Sequence, residues 1–307
     1  MTGPAFVDDY DALRHVVGIV PVGRDILRLA GADAVEYLQG QCSQDIAALA
    51  VGQSADALVL TPQGKLDALV RVTRAGDDEL YVDVDAGYGE ALATRLARFK
   101  LRVKVDIEVL DWTCLALRGP DAAALAADAM PPGASLALPF GWGGVTGVDL
   151  FGADPALFAA VRRCGVEAWE SVRVESGVPV MGTELDERTI AAEADLLDRS
   201  VSFTKGCYTG QELVARLDAR GNKVARRLRG IVVDRAAGAH PPVSAGAEVR
   251  VGERTVGRLT SVAWSPALET VVALGYLHRD VEPPGPVMIG GDAGDVAAEA
   301  RSLPLVG

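Results

Sequence analysis

The sequence predicts an α+β protein: two related α/β units followed by a small C-terminal antiparallel β-barrel. Three observations lead there. Two successive stretches mix alternating strands with amphipathic helices. The stretch after Lys223 breaks into short β-rich runs joined by glycine-rich turns. Hydrophobic residues make up 49% of the 307 residues, enough to fill more than one core. These features divide the chain at 1–110, 111–223 and 224–307, with the first two regions free to interleave.

In the first region, Val16–Val20 is apolar and Ile26–Ala30 alternates as a strand. Asp33 and Glu36 have the spacing of an N-cap and its third-position partner, opening a helix through Val35 and Leu38. That helix runs out in Leu38-Gln-Gly-Gln-Cys-Ser-Gln-Asp45, whose simplest reading is a solvated helix end. Ala57–Leu60 and Leu66–Val72 flank Thr61-Pro-Gln-Gly-Lys65, a hairpin turn. Leu80–Val84 is a further strand, Tyr88–Lys100 a helix with Leu92, Leu96 and Phe99 on one face, and Val103–Val109 a strand.

The second region opens with a strand at Cys114–Arg118, and a helix starts at Asp121 and breaks at Pro131-Pro132. Gly141–Gly147 reads as a hairpin, since it has neither the glycine spacing of a dinucleotide loop nor the lysine of a P-loop. Helices are expected over 154–163, with Leu157, Phe158 and Val161 inside, and over Ala168–Ser176, ended by Gly177. Beyond Lys223, strands at Leu228–Val233, Ala247–Val251, Thr255–Val262, Thr270–Leu277 and Pro286–Ile289 make the barrel.

Composition narrows the function. A net charge of −12 and the absence of a long basic run argue against nucleic acid as a partner. No apolar run is long enough to span a bilayer and the N-terminus has no apolar secretory core, so a cytoplasmic protein without a membrane partner is expected. Cys42, Cys114, Cys164 and Cys207 are scattered and the three histidines form no ligand pair, so no metal site is expected.

The densest chemistry lies in Lys205-Gly-Cys-Tyr-Thr-Gly-Gln-Glu212. Gly206 and Gly210 bracket a bent segment, and Thr209 with Glu212 has capping-box spacing for a helix that ends near Gly221. Cys207 then precedes a helix N-terminus, where partial positive charge, with Lys205 adding to it, favours a thiolate. Arg216 lies four residues after Glu212, as an ion-pair ladder or an anion contact.

These residues resemble the tetrahydrofolate-binding family of bacterial YgfZ, which is similar in fold to the T-protein of the glycine cleavage system. Lys205–Glu212 matches the family signature throughout, and Leu38–Asp45 matches its L-Q-G-Q-x-[ST]-x-D segment. Thr61–Lys65, Arg173–Gly182 and Val256–Ser261 with Ser265-Pro266 match further stretches, so the resemblance covers essentially the whole chain.

The resemblance implies a cloverleaf around a central folate channel, with tetrahydrofolate or a one-carbon derivative as cofactor. It also implies iron–sulfur client or assembly proteins as partners, with Cys207 as the reactive thiol at the channel rim and Lys205 assisting it. Glu175 is placed by it at the T-protein glutamate that recognises the pterin, for which a carboxylate accepting two N–H bonds is suited. Tyr208, Gln211, Glu212, Arg216, Asp67, Gln39 and Gln41 complete the implied cofactor set, although Glu212 equally serves as a cap. T-proteins carry two adjacent aspartates after the hairpin, one of which assists methylene transfer, where this chain has Asp67-Ala68. The leading reading is a folate-binding accessory protein for iron–sulfur assembly or repair. A folate-dependent aminomethyl- or methyltransferase is the enzymatic alternative, and a folate-free redox scaffold a third.

Overall fold

The computed structural model describes residues 3–129, 136–237, 242–290 and 294–307. The Pro131-Pro132 break and His240 lie outside them. The chain enters each of two compact units more than once: Met1–Pro21, Leu115–Pro179 and Val224–Gly307 form one, Val22–Cys114 and Val180–Lys223 the other.

In the first unit a four-stranded sheet runs in the order Gly18–Val20, Cys114–Arg118, Val145–Phe151, Leu136–Trp142, and its core holds Ile19, Leu117, Leu150 and Phe158. The closed barrel runs Arg226–Val233, Thr270–His278, Arg254–Ser265, Glu248–Val251, Gly285–Ile289, Val296–Arg301, every described pair antiparallel. Closure leaves no open edge strand. The helix Val166–Ser176 ends as the sequence predicts, on Gly177 at φ 69°. A side chain there would also meet Leu303, since an added Cβ would lie 2.7 Å from its Cδ1.

The helix expected over 154–163 is a single 3-10 turn, Pro155–Phe158, capped by the Asp154 carboxylate on the Ala156 N–H at 2.9 Å. Phe158 is buried but Leu157 is exposed. The chain leaves the turn because Ile19 pairs with it: the Ile19 N–H donates to the Arg162 carbonyl and the Cys164 N–H to the Ile19 carbonyl, both at 2.8 Å. A strand contact distant in sequence overrides a local helical pattern.

The second unit holds a five-stranded antiparallel sheet, in the order Ser54–Leu60, Leu66–Arg74, Glu79–Asp85, Arg24–Ala30, Asp106–Leu110. Helices Ala34–Gln41 and Gly89–Arg98 cover it, and Leu27, Leu38, Val59, Val70, Val82, Leu92 and Leu96 form the core. Phe99 falls at the helix end and is partly exposed rather than inside. The Asp33 carboxylate does not cap its helix. It accepts the Lys104 N–H instead, at 2.7 Å. Segment 180–223 adds the short turns Ala191–Ala194 and Leu197–Ser200 and the helix Gln211–Asp218.

Candidate functional site

Three stretches that the sequence singled out, 38–45, 61–65 and 205–212, meet within the second unit. Lys205 is the tie. Its ammonium donates to the carbonyls of Gln39, Cys42 and Gln44 at 2.6, 2.8 and 2.7 Å. Three carbonyl dipoles focused on one cation make short, charge-assisted bonds. Burial lowers the proton affinity of this amine, and the nearby Cys42 and Asp45 oppose that shift. The role of Lys205 as a companion of the Cys207 thiol is therefore corrected: its charge is spent on the backbone of the neighbouring loop.

That loop is not a solvated helix end. The Gln39 amide donates to Asp45 Oδ1 at 2.9 Å and accepts the Ile46 and Ala47 N–H groups at 2.7 and 3.1 Å. Ser43, fully buried, accepts the Leu58 N–H at 2.8 Å and donates to the Ser200 carbonyl at 2.5 Å. The side chain of Gln39 thus closes its own loop, which corrects its assignment to the cofactor. Cys42 points into the core, its thiol against the Leu38 carbonyl at 3.3 Å, and burial pushes it up to about 11.

The signature turn differs from its expected capping. The helix begins at Gln211, behind Gly210 at φ 84°, and Thr209 makes no side-chain cap. The Thr209 N–H donates instead to the Gly40 carbonyl at 3.2 Å, and the Gln211 amide oxygen accepts the Tyr208 N–H at 3.1 Å. Gly210 must be glycine twice over, because of its positive φ and because a Cβ would lie 2.5 Å from the Thr61 carbonyl. Contact with the 61–65 hairpin, rather than a local box, fixes where the helix starts.

Cys207, within this turn, is exposed, as is Phe203. Three residues separate it from the first helical residue, outside the turn over which a helix end exerts its field. Tyr208 is half-buried with its ring centroid 5.2 Å from the Lys205 ammonium, and desolvation pushes its phenol up to about 12. Glu212 and Arg216, both on the helix Gln211–Asp218, are exposed.

Asp67 sits on the hairpin strand where pairing slips: Val59 opposes Ala68 and Leu60 opposes Leu66, which leaves Asp67 as the extra residue of a bulge. Its carboxylate meets Arg95 Nε at 2.9 Å, while Ala68 faces the core. Gln41 accepts from Arg95 as well, at 3.3 Å. Among the described residues no group of three or more His, Cys, Asp or Glu side chains has the arrangement to hold a metal ion.

Glu175 lies in the other unit and is fully buried. One carboxylate oxygen accepts from Tyr10 at 2.8 Å and from Arg14, the other from Ser265. No surface of this carboxylate is open to a pterin, so its cofactor assignment is corrected to that of a strut joining the helices Pro4–His15 and Val166–Ser176 to the barrel. A glutamate flanked by Val174 on a helix end gave the sequence no way to separate the two roles.

Sequence reasoning passed over Arg95 and Glu193. Arg95 adjoins buried Leu96 on an amphipathic helix, a cation forced to find acceptors, and that was the available signal. Glu193, buried in the turn Ala191–Ala194 that packs on the signature helix, carried none.

Comparison with known proteins matches residues 3–160 to the GCVT N-terminal domain and 226–306 to the glycine cleavage T-protein C-terminal barrel domain. The chain is 29% identical to an aminomethyltransferase of Thermus thermophilus, across 98% of this chain and 90% of that protein. It is 26% identical to the tRNA-modifying protein YgfZ of Yersinia enterocolitica, across 88% of this chain and 87% of that protein. An uncharacterized Haemophilus influenzae protein matches at 26%, across 64% of this chain and 66% of its own length. Among solved structures, the glycine cleavage system aminomethyltransferase T of Bartonella henselae superposes with a TM-score of 0.87 at 23% identity, covering 100% of this chain and 91% of that one, a likeness of fold.

Proposed function

The chain belongs to the glycine cleavage T-protein family, and from that premise we propose that it is a YgfZ-type member: a tetrahydrofolate-binding accessory protein for iron–sulfur cluster assembly or repair that works through the Cys207 thiol. The observation that carries this reading is the construction of the signature turn. Lys205, Gly210 and the Thr209–Gly40 bond hold its backbone, and the thiol between them is left exposed. A thiol placed for packing is buried, as Cys42 is.

For tetrahydrofolate, the groups that fit are those of the second unit. Tyr208 offers a ring face, Gln41 an amide, and Asp67 a partly exposed carboxylate suited to ring or amine N–H donors. Glu175 does not fit, since its oxygens are filled and dry. When bound, the folate would supply one-carbon or pterin redox chemistry, and this chain would orient it and present the thiol.

The aminomethyltransferase reading draws on the Thermus thermophilus relative. Against it stands the single carboxylate at the hairpin, with Ala68 turned into the core where T-proteins carry a second aspartate. Two measurements separate the readings. Purified protein should bind tetrahydrofolate saturably under anaerobic conditions yet form no methylene-tetrahydrofolate from amine donors. A strain carrying Cys207→Ala should lose activity of oxidant-sensitive iron–sulfur enzymes, and full activity in that strain would sink the thiol role.

A further inference from the structure

We infer that Arg95 is the positioning residue for the Asp67 carboxylate, and through it for ligand recognition along this edge of the second unit. The inference rests on the folate reading above.

Arg95 projects from the helix Gly89–Arg98 and its side chain is only 12% exposed. It divides its donors among three segments distant in sequence. Nε meets Asp67 Oδ2 at 2.9 Å, Nη2 the Leu60 carbonyl at 3.0 Å, and Nη1 Gln41 Oε1 at 3.3 Å. Its Cζ lies 4.2 Å from the centroid of the Phe99 ring. A guanidinium is planar with donors in fixed directions, so three acceptors at once settle its position and tilt, which a lysine cannot do. Gln41 belongs to the loop that Lys205 grips, and Leu60 leads into the hairpin on which Gly210 rests. Arg95 therefore joins the first stretch of the candidate site, 38–45, to the strands that flank the second, 61–65.

Asp67 needs such a partner. As the extra residue of a bulge it has no ladder neighbour, while Leu66 and Ala68 on either side are buried. With Oδ2 held by Arg95, the side chain stays 28% exposed in an open cleft of about 430 Å³, shared with Glu90, Thr94, Arg95 and Arg98. A carboxylate fixed through one oxygen presents the other in a defined direction to an N–H donor of a ligand. Arg95 itself is nearly dry and engaged on three sides, so it acts through Asp67.

The experiment is calorimetric titration of 5-formyl-tetrahydrofolate into wild type, Arg95→Lys, Asp67→Asn and the double variant, with thermal unfolding of each. Arg95→Lys keeps the charge and loses the fork, and should weaken binding by roughly tenfold. Asp67→Asn should weaken it comparably, and the double variant should bind no more weakly than the worse single, because both changes remove one interaction. Wild-type affinity in Arg95→Lys together with a lowered unfolding temperature would show a brace and overturn the inference. Losses that multiply in the double variant would also overturn it, since Arg95 would then act on the ligand independently of Asp67. If Arg95→Lys does not fold, Asp67→Asn alone decides, and wild-type binding in that variant rejects the inference. No saturable binding by the wild type removes the folate reading itself, a separate outcome that takes this inference with it.

Discussion

Glu175 and the Lys205–Cys207 turn use the same kinds of polar group to opposite ends. In the first unit, a carboxylate is withdrawn from water and both its oxygens accept from within the protein, from Tyr10, Arg14 and Ser265. In the second, a half-buried cation is likewise met, by three carbonyls, but its bonds hold a backbone that leaves nearby Cys207 in solvent. The first network ends in itself. The second ends in an exposed thiol. A charge whose partners lie within the protein reports architecture, and the proposed function rests on the group that such architecture leaves in solvent.

Four measurements can break or sharpen that contrast. The largest effect should come from Glu175→Ala, which strands the nearly buried Arg14 guanidinium and should cost about 3–5 kcal/mol in urea unfolding. A loss below about 1 kcal/mol accompanied by weaker folate binding would instead make Glu175 part of the site. Next, Lys205→Met removes three charge-assisted bonds and should destabilise by about 2–4 kcal/mol, with faster amide exchange confined first to residues 39–46. Uniform exchange acceleration across the sheet would deny the lysine its local role.

The third and fourth measurements contrast two thiols of the second unit, buried Cys42 and exposed Cys207. Cys42 has an ordinary value of 9.0 and is held at about 11 in the fold, so the folded protein keeps it neutral where the unfolded chain ionises. Its contribution is complete below pH 9 and is lost as pH rises from about 9 to about 11, up to roughly 2–3 kcal/mol. Cys164, raised to about 11 by burial in the other unit, adds a parallel loss. Cys42→Ala should therefore shallow the fall of stability over that window without abolishing it; an unchanged slope would refute the assignment. The smallest effect on stability should be Cys207→Ser, within about 0.5 kcal/mol, while mass spectrometry after brief iodoacetamide treatment should show the native protein losing its principal site of modification.

Much of the fold was legible because its signals are local. Alternation marked Ile26–Ala30 and Leu66–Val72, Gly177 marked a helix end, and glycine-rich turns marked the barrel. Reading failed where distant partners compete with local preference. Asp33 serves the Lys104 N–H in place of its own helix, Thr209 binds Gly40 rather than capping, and pairing with Ile19 takes the end of the 154–163 segment out of a helix. The same holds in the site. Lys205, Gln39 and Glu175 are polar residues in conspicuous motifs, and nothing in their spacing says that their partners are already within the protein.

By itself, then, the sequence determined the order of strands and helices, the barrel, and which short stretches make up the candidate site, because period, turn residues and motif identity are written along the chain. Only the tertiary structure decided which members of those stretches are free. A hydrogen bond to a carbonyl or carboxylate distant in sequence costs no recognisable pattern, yet it settles whether a side chain is a strut, as Glu175 and Lys205 are, or stands open to solvent, as Cys207 does.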